Sequence, residues 1–476
     1  MLDLLVRGGL VVGPDANGNW DVGVSDGKIV SLTLPDAAPL EAREIVDASG
    51  LLVVPGGVEP HAHLAHFISM RTESEMYTLG PEEDTVGMAF GGVTTHIDFA
   101  QVYPGMTADQ GIQQRMDRWQ GKSLIDYAFH VNFMGATPIA AFEQIPELIQ
   151  AGFPSFKVFT CNVLPPRPPR RSYKMDFGRI GRLMDKVAGD GGIVVVHGED
   201  DDLVQFNYEL FTEEGRTAGT NLHLVHSKLS EHLSFARTLL LAEAKGAAVY
   251  FVHTSAREGV VSIEQARAAG RAVYGETLHQ YLCHTADEYG EPGGFRFHTY
   301  PSVKLQEDQD ALWRGLLSGS LQTVATDEFP TTREVKLKGN TIEDVTGGNL
   351  GAEARMGIVY TEGVTKRGMS LRQFVDVTST NAARIFGLYP RKGVIAVGSD
   401  ADLTLMDTRQ KRRLTIADFH VADYSPWEGW EISGWPTATI LRGQVLTQNG
   451  TLRAQPGFGQ WLPRKIDSEI LHRPAV

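Results

Sequence analysis

The chain has 476 residues, of which 42% are hydrophobic, and a net charge of -14. That is enough apolar material for a large core and more than one folding unit, while the acidic balance excludes general nucleic-acid binding, which needs a basic surface. Two cysteines, Cys161 and Cys283, are too few for a disulfide framework and give no CxxC metal site.

The chain opens with MLDLLVRGG, where Asp3 interrupts an apolar run too short for a secretory leader. No window holds 18 uncharged apolar residues, so no membrane span is expected. A cytoplasmic protein without nucleic-acid or membrane partners is expected. The first fifty residues read as short strands, LLVRGGLVV, WDVGVSDGKIVSL and REIVDASGLLVVP, punctuated by Gly and Asn-Gly. The tail from Gly387 has the same texture in GVIAVGSDADLTLMD and TATILRGQVLTQNGTLRA. Residues 1–54 plus 388–476 are therefore expected to form one small β-sandwich domain with a C-terminal tail, around a different middle at 55–387.

That middle alternates strands and helices. Candidate strands are LLVVPGGVEPH, GVTTHIDFA, LIDYAFHVNF, FPSFKVFT, GGIVVVHGE, AAVYFVHTS, RAVYGETLH and LQTVATDEF. Amphipathic stretches lie between most of them: ADQGIQQRMDRWQGK, AAFEQIPELIQAG, FGRIGRLMDKVAGDG, HLSFARTLLLAEAKG and SIEQARAAG. Eight such units predict an α/β fold of the (β/α)8 TIM-barrel type. An open doubly wound sheet would leave unexplained why polar residues gather at the ends of so many strands.

Those polar residues carry the chemistry. His61 and His63 close the first strand, Lys157 lies in SFKVF, His197 and His253 end IVVV and VYFV, and Asp327 follows TVAT. In a barrel these ends converge on one mouth. Strand side chains alternate with period two, so His61 and His63 share a face, and clustered neutral imidazoles suit a divalent transition metal. His66 has the other parity, which favours packing or loop hydrogen bonding and leaves a substrate contact open. Burial should depress the pKa of Lys157. A neutral amine reacts with carbon dioxide to a carbamate able to bridge two metals. The alternative is a lysine that snorkels to solvent or pairs with Asp327. Asp327 is a candidate metal ligand, proton carrier or loop cap.

The ordered set PGGVEPHAH, GGVTTHIDF, SFKVF, VVVHGED, FVHTSA, GETLHQYL, ATDEFP and ARMGIVYTEGV resembles the dihydropyrimidinase and hydantoinase branch of the amidohydrolase superfamily. So does TSTNAARIFGLYPRKGVIAVGSDADL in the tail, and the likeness runs from Leu5 to about Arg464. The resemblance implies two divalent metal ions per chain, usually zinc, with manganese or another ion as the alternative. By motif match His61, His63 and Asp327 would hold one ion and His197 with His253 the other. Lys157 matches the lysine that becomes carboxylated (N6-carboxylysine) and bridges both. A hydroxide between the metals would attack a ring amide carbonyl while Asp327 shuttles its proton. Hydantoins and dihydropyrimidines open this way to N-carbamoyl amino acids, in enzymes that are commonly homotetramers, with a dimer as the alternative.

The substrate-side positions depart from that pattern. The family's tyrosine five residues after the bridging lysine falls at Asn162, whose amide could still donate to an oxyanion or shape the loop VLPPRPPRRSYK. Tyr173 in that loop is a possible substitute. The family's Ser-Pro-Pro serine falls at about Tyr300, and its loop asparagine at about Gly347, with Asn349 close by. The loop AHFISMRTESEMYTLGPEED adds Arg71, Glu73 and Glu75 at the mouth, where loops set substrate choice. Asn162, Tyr300, Asn349 and Arg71 are therefore the candidate substrate contacts. Ala65 stands where dihydroorotases carry a carboxylate-binding arginine, which disfavours that activity. Allantoinase-like and imidase-like ring opening stay open. An N-acyl amino acid hydrolase would need a basic group, which Arg71 or the Arg167–Arg171 run could supply. A non-enzymatic scaffold is disfavoured because all six candidate ligands are kept.

Overall fold

The computed structural model describes residues 1–35, 40–68, 76–165 and 172–476. The N-terminal segment forms five strands: β1 (Leu2–Val12), β2 (Asn17–Ser25), β3 (Lys28–Thr33), β4 (Ala42–Asp47) and β5 (Leu52–Pro55). Eight further strands follow: β6 (Gly57–Ala62), β7 (Val93–Val102), β8 (Asp126–Phe133), β9 (Ser155–Phe159), β10 (Ile193–His197), β11 (Val249–Phe251), β12 (Val273–Leu278) and β13 (Thr323–Ala325). The C-terminal part adds β14 (Leu403–Arg413), β15 (Glu431–Leu441), β16 (Gln444–Gln448) and β17 (Thr451–Leu452).

Strands β6 to β13 pair in sequence order, each parallel to the next. The ring closes through a parallel bridge between Ala62 and Glu328. There the Glu328 N–H donates to the His61 carbonyl at 3.1 Å, and the His63 N–H donates to the Glu328 carbonyl at 2.7 Å. Helices Ala108–Trp119, Phe177–Asp190, Asp201–Glu213, Lys228–Lys245, Arg257–Ala268 and Gln306–Ser318 lie in the intervening connections. This is the expected (β/α)8 barrel. Two helices begin earlier than the apolar pattern suggested. Lys228–Lys245 starts where Ser227 accepts the Ser230 N–H as an N-cap, and Arg257–Ala268 starts five residues before the run SIEQARAAG.

The run LLVVPGGVEPH, expected as one barrel strand, is two strands in different sheets. Leu52–Pro55 pairs antiparallel with β14 (Leu403↔Pro55 to Met406↔Leu52) and parallel with β1. The chain turns at Gly56, where the Thr94 side chain lies 2.2 Å from the place a Cβ would take, so only glycine lets β5 hand over to β6. The second sheet runs β17-β16-β15-β14-β5-β1-β2-β3, with β4 on β1. Val6, Val22, Val24 and Ile29 meet Leu403, Leu405, Ala438 and Val445 in one buried cluster. Strands distant in the sheet order thus face each other, and the sheet folds into a sandwich built from both chain ends. Buried Lys392 links it to the barrel, donating to Asp402 at 2.6 Å and to Asp126 of β8 at 2.7 Å.

Inside the barrel, Ile97, Ala128, Val195 and Tyr274 pack with Phe386, Leu462, Ile466 and Ile470. The final residues therefore leave the sandwich and pack against the barrel, where the Tyr274 hydroxyl donates to the Ile470 carbonyl at 2.7 Å. Two residues further along β8, β10 and β12 the inward positions become His130, His197 and Glu276, and Lys157 of β9 stands level with Val195, all buried. The floor is apolar and the mouth polar, as the period-two alternation requires.

Candidate metal centre

His61 and His63 do share a face. Their Nε2 atoms lie 3.1 and 3.0 Å from Oδ1 of Asp327, contributed from the opposite side of the barrel seam. His253 lies close by, its ring centroid 5.4 Å from that of His61. His197 Nδ1 stands 2.8 Å from His253 Nε2. Asp327 and His253 both hold positive φ, 51° and 36°, a costly conformation for residues other than glycine. Such strain persists where the surroundings impose it, and here both residues point functional atoms into one space.

Carboxylates behind the imidazoles assign their tautomers. His61 Nδ1 lies 2.7 Å from Glu276 Oε1 and its Nε2 faces Asp327, so a metal ion on Nε2 would leave the proton on Nδ1, shared with Glu276. His197 Nε2 lies 2.9 Å from Glu199 Oε2, so Nε2 carries the proton and the Nδ1 lone pair faces His253. Glu276 also accepts the His253 backbone N–H at 3.0 Å. Such partners orient metal-binding imidazoles and raise their basicity. Burial holds His63 and His253 below the ordinary histidine pKa, so both are neutral. Burial would raise Asp327, but the neighbouring His61 and His63 outweigh it and hold the carboxyl well below the usual range.

Lys157 sits between these groups and is buried. Among the described residues its Nζ has no hydrogen-bond partner, lying 4.9 and 5.3 Å from the ring centroids of Phe159 and Phe99. It neither snorkels nor pairs with Asp327, whose other oxygen accepts from Thr299 at 3.2 Å. Burial lowers its pKa to about 7, against the opposing pull of Asp327 and Glu276.

These residues fit a metal centre. A tetrahedral ion with bonds near 2.0–2.1 Å holds adjacent ligand atoms roughly 3.3 Å apart, close to the observed histidine–aspartate spacings. Among the described residues two groups bring three ligand-type atoms within 4.8 Å of one another: His61, His253 and Asp327, and Cys161, His197 and Glu199. The Lys157 amine, buried and without a hydrogen-bond partner among the described residues, lines the same cavity as these imidazoles, where a carbamate on it would add two oxygen ligands.

His66 also lines the cavity, but its Nε2 is bound to Asp98 at 3.0 Å. Burial and then Arg115 push its pKa down to about 3. Asp98 also accepts the Leu64 N–H at 2.8 Å and Arg115 at 2.6 Å, so His66 belongs to a buried cluster that fixes the loop after β6.

The cavity has about 820 Å³ of empty space including its open mouth, and its lining includes all six candidate ligands, Asn132, Tyr173, Thr299, Tyr300 and Gly347. Phe67, Ile68, Phe159, Val163, Leu164 and Phe329 complete an apolar wall. Asn162 is not in the lining. Its Oδ1 accepts from Ser172, Tyr173 and Lys174, and its Nδ2 donates to Asp201 at 3.3 Å. That amide is spent on fastening the loop that presents Tyr173. Asn349 is likewise buried away from the cavity, donating to the Phe297 carbonyl at 3.2 Å. Arg71, Glu73, Glu75 and the arginines of the 167–171 run lie outside the described residues.

Glu276, Glu199 and Asp98 escaped the sequence reading. The signal was present in GETLH, HGED and HIDFA, as carboxylates close to the imidazoles or on neighbouring strands.

Residues 52–446 match the family model described as the amidohydrolase family. The chain is 32% identical over 469 residues to a D-hydantoinase of Geobacillus stearothermophilus, covering 97% of this chain and 96% of that protein. It is 33% identical over 470 residues to a D-hydantoinase of Rhizobium radiobacter, covering 98% and 99%. The crystal structure of a dihydropyrimidinase from Brevibacillus agri NCHU1002 superposes with a TM-score of 0.90 at 30% identity, over 98% of this chain and 99% of that one.

Proposed function

The chain belongs to the amidohydrolase family, in its hydantoinase and dihydropyrimidinase branch, and from that premise we propose that it opens the ring amide of a hydantoin or dihydropyrimidine. The reaction is a metal-dependent hydrolysis of a cyclic amide, and the product is an N-carbamoyl amino acid. The observation that carries this reading is the convergence of His61, His63, His197, His253, Asp327 and the buried amine of Lys157, which has no hydrogen-bond partner among the described residues, on one cavity.

His61, His63 and Asp327 would hold one divalent ion, most simply zinc, and His197 with His253 the other. Lys157, carboxylated, would join the two. Such a pair supplies Lewis acidity toward a ring carbonyl and eases the loss of a proton from water. Asp327 takes that proton at its carboxylate and delivers it to the leaving ring nitrogen, with Thr299 fixing the free oxygen. Glu276 and Glu199 hold His61 and His197 in the tautomers that ligation needs. Burial beside Phe99 and Phe159 lowers the Lys157 pKa to about 7, so much of the amine is neutral at neutral pH and able to take up carbon dioxide. Tyr173, presented by the loop that Asn162 fastens, lines the same cavity and is the phenol we assign to a developing oxyanion.

A panel of hydantoins, dihydrouracil, allantoin and cyclic imides, followed by loss of ring absorbance, tests the reading. Ring opening of a hydantoin or dihydrouracil is expected, with roughly two divalent ions per chain by elemental analysis and a homotetrameric mass in solution. A metal-free preparation that still turned over these rings would overturn it. Lys157→Ala should be inactive and partly rescued by short carboxylates.

A further inference from the structure

We infer that Tyr300 and Gly347 form an interlocked pair that sets the width of the substrate cavity on one wall, an inference that rests on the cyclic-amide reading above. Both residues line the cavity. A Cβ built on Gly347 would lie 2.3 Å from Cε2 and 2.4 Å from Cδ2 of the Tyr300 ring. Carbon atoms pack at about 3.5–4.0 Å, so the ring fills the place that any side chain at 347 would take. Residue 347 is bare because residue 300 is tyrosine.

Neither partner can step aside. The Tyr300 ring is flanked by the imidazoles of His226 and His298, with centroids at 4.9 and 4.7 Å, and its hydroxyl donates to the Val345 carbonyl at 3.4 Å. The backbone around Gly347 is clamped from below by Lys336, which is fully buried. Its Nζ donates to the carbonyls of Thr346 (3.0 Å) and Gly348 (2.5 Å), on either side of Gly347. The third bond goes to the carbonyl of His298 at 2.6 Å, two residues before Tyr300. One buried side chain therefore ties both halves of the interlock. Its far flank ends at the metal centre, because His226 Nδ1 binds Glu199 at 2.9 Å and Glu199 binds His197.

With this pair in place the cavity ends on a flat ring, which accepts ring amides with compact substituents and excludes fused or biaryl ones on that side. Cutting Tyr300 back opens space toward His226 and His298. It also removes the reason for glycine at 347.

The test is a four-protein cycle of wild type, Gly347→Ala, Tyr300→Ala and the double variant, assayed on an unsubstituted and a naphthyl-substituted hydantoin. Gly347→Ala should lower kcat/KM on the small ring by roughly tenfold, mainly through KM, with metal content unchanged. Tyr300→Ala should shift the bulky-to-small ratio of kcat/KM by roughly tenfold toward the bulky ring. The double variant should regain most of the activity that Gly347→Ala loses. A Gly347→Ala protein equal to wild type, or a double variant no better than it, overturns the interlock. If the wild type opens no cyclic amide at all, the functional reading fails separately. The interlock is then judged by melting temperature: Gly347→Ala lower by a few degrees and the double variant restored, with additive losses overturning it.

Discussion

A buried lysine without a partner destabilises the metal-free protein, and Lys157→Met should show by how much. The ordinary lysine value is 10.5 and burial brings Lys157 to about 7. Each factor of ten in proton affinity is worth about 1.4 kcal/mol, so the limiting penalty is about 5 kcal/mol. The sign follows from proton counting. Below pH 7 the amine is protonated in both states and the full penalty applies. Between about pH 7 and 10.5 only the unfolded chain is protonated, so wild-type stability rises with pH and falls as pH returns through 7. The penalty is then about 4 kcal/mol at pH 7 and about 2 kcal/mol at pH 9. Methionine matches the lysine stem and carries no charge, so Lys157→Met should be more stable than wild type by those amounts. The assay is urea unfolding of chelator-treated protein in degassed, bicarbonate-free buffer at both pH values. A gain under about 1 kcal/mol at pH 7, or an equal gain at both pH values, would refute the reasoning. Added bicarbonate should narrow the gap by carboxylating the wild-type amine.

Three further outcomes are expected. Asp327→Asn should lower turnover at least about a hundredfold in protein that still carries metal, measured by elemental analysis beside kcat; normal turnover would end its proton-carrying role. Glu276→Gln should weaken metal retention about 10- to 100-fold, read by competition with a chromogenic chelator, because His61 loses its carboxylate partner. Asn162→Ala should raise KM while leaving metal content unchanged, since it frees the loop carrying Tyr173; a fall in kcat with KM constant would instead make Asn162 a direct donor to the reacting carbonyl.

The barrel and the polar residues at its mouth were legible because both are periodic. Apolar runs that each end in a polar residue report a strand and the mouth it faces, so His61, His197, His253 and Asp327 could be placed without coordinates. Lys157 could be read as buried from the alternation in SFKVF. What escaped was whatever depends on where a side chain spends its hydrogen bonds. Asn162 falls where the family's tyrosine stands, yet its Nδ2 donates to Asp201 and its oxygen is held by three loop donors. Glu276 reads as an ordinary strand residue in the sequence, but its carboxylate lies 2.7 Å from the His61 ring, 215 residues away along the chain. The break of LLVVPGGVEPH into two strands was hidden for a similar reason. One apolar run serves two sheets equally well, and only the crowding of Gly56 against Thr94 divides it.

The handover at Gly56 also bears on how the chain is made. Strand β5 finds β1 within its own segment, but its other edge waits for β14, which begins at Leu403. At about 5–20 residues per second, the intervening stretch takes roughly 20–70 s to synthesise. Throughout that time a hydrophobic strand edge stands open on the ribosome, and the barrel floor still lacks Leu462, Ile466 and Ile470. A nascent chain of this design therefore exposes a sticky edge until β14 emerges, and an uncovered barrel floor until its last residues do. Yield in a foreign host should depend on chaperone supply more than the finished protein's stability would suggest.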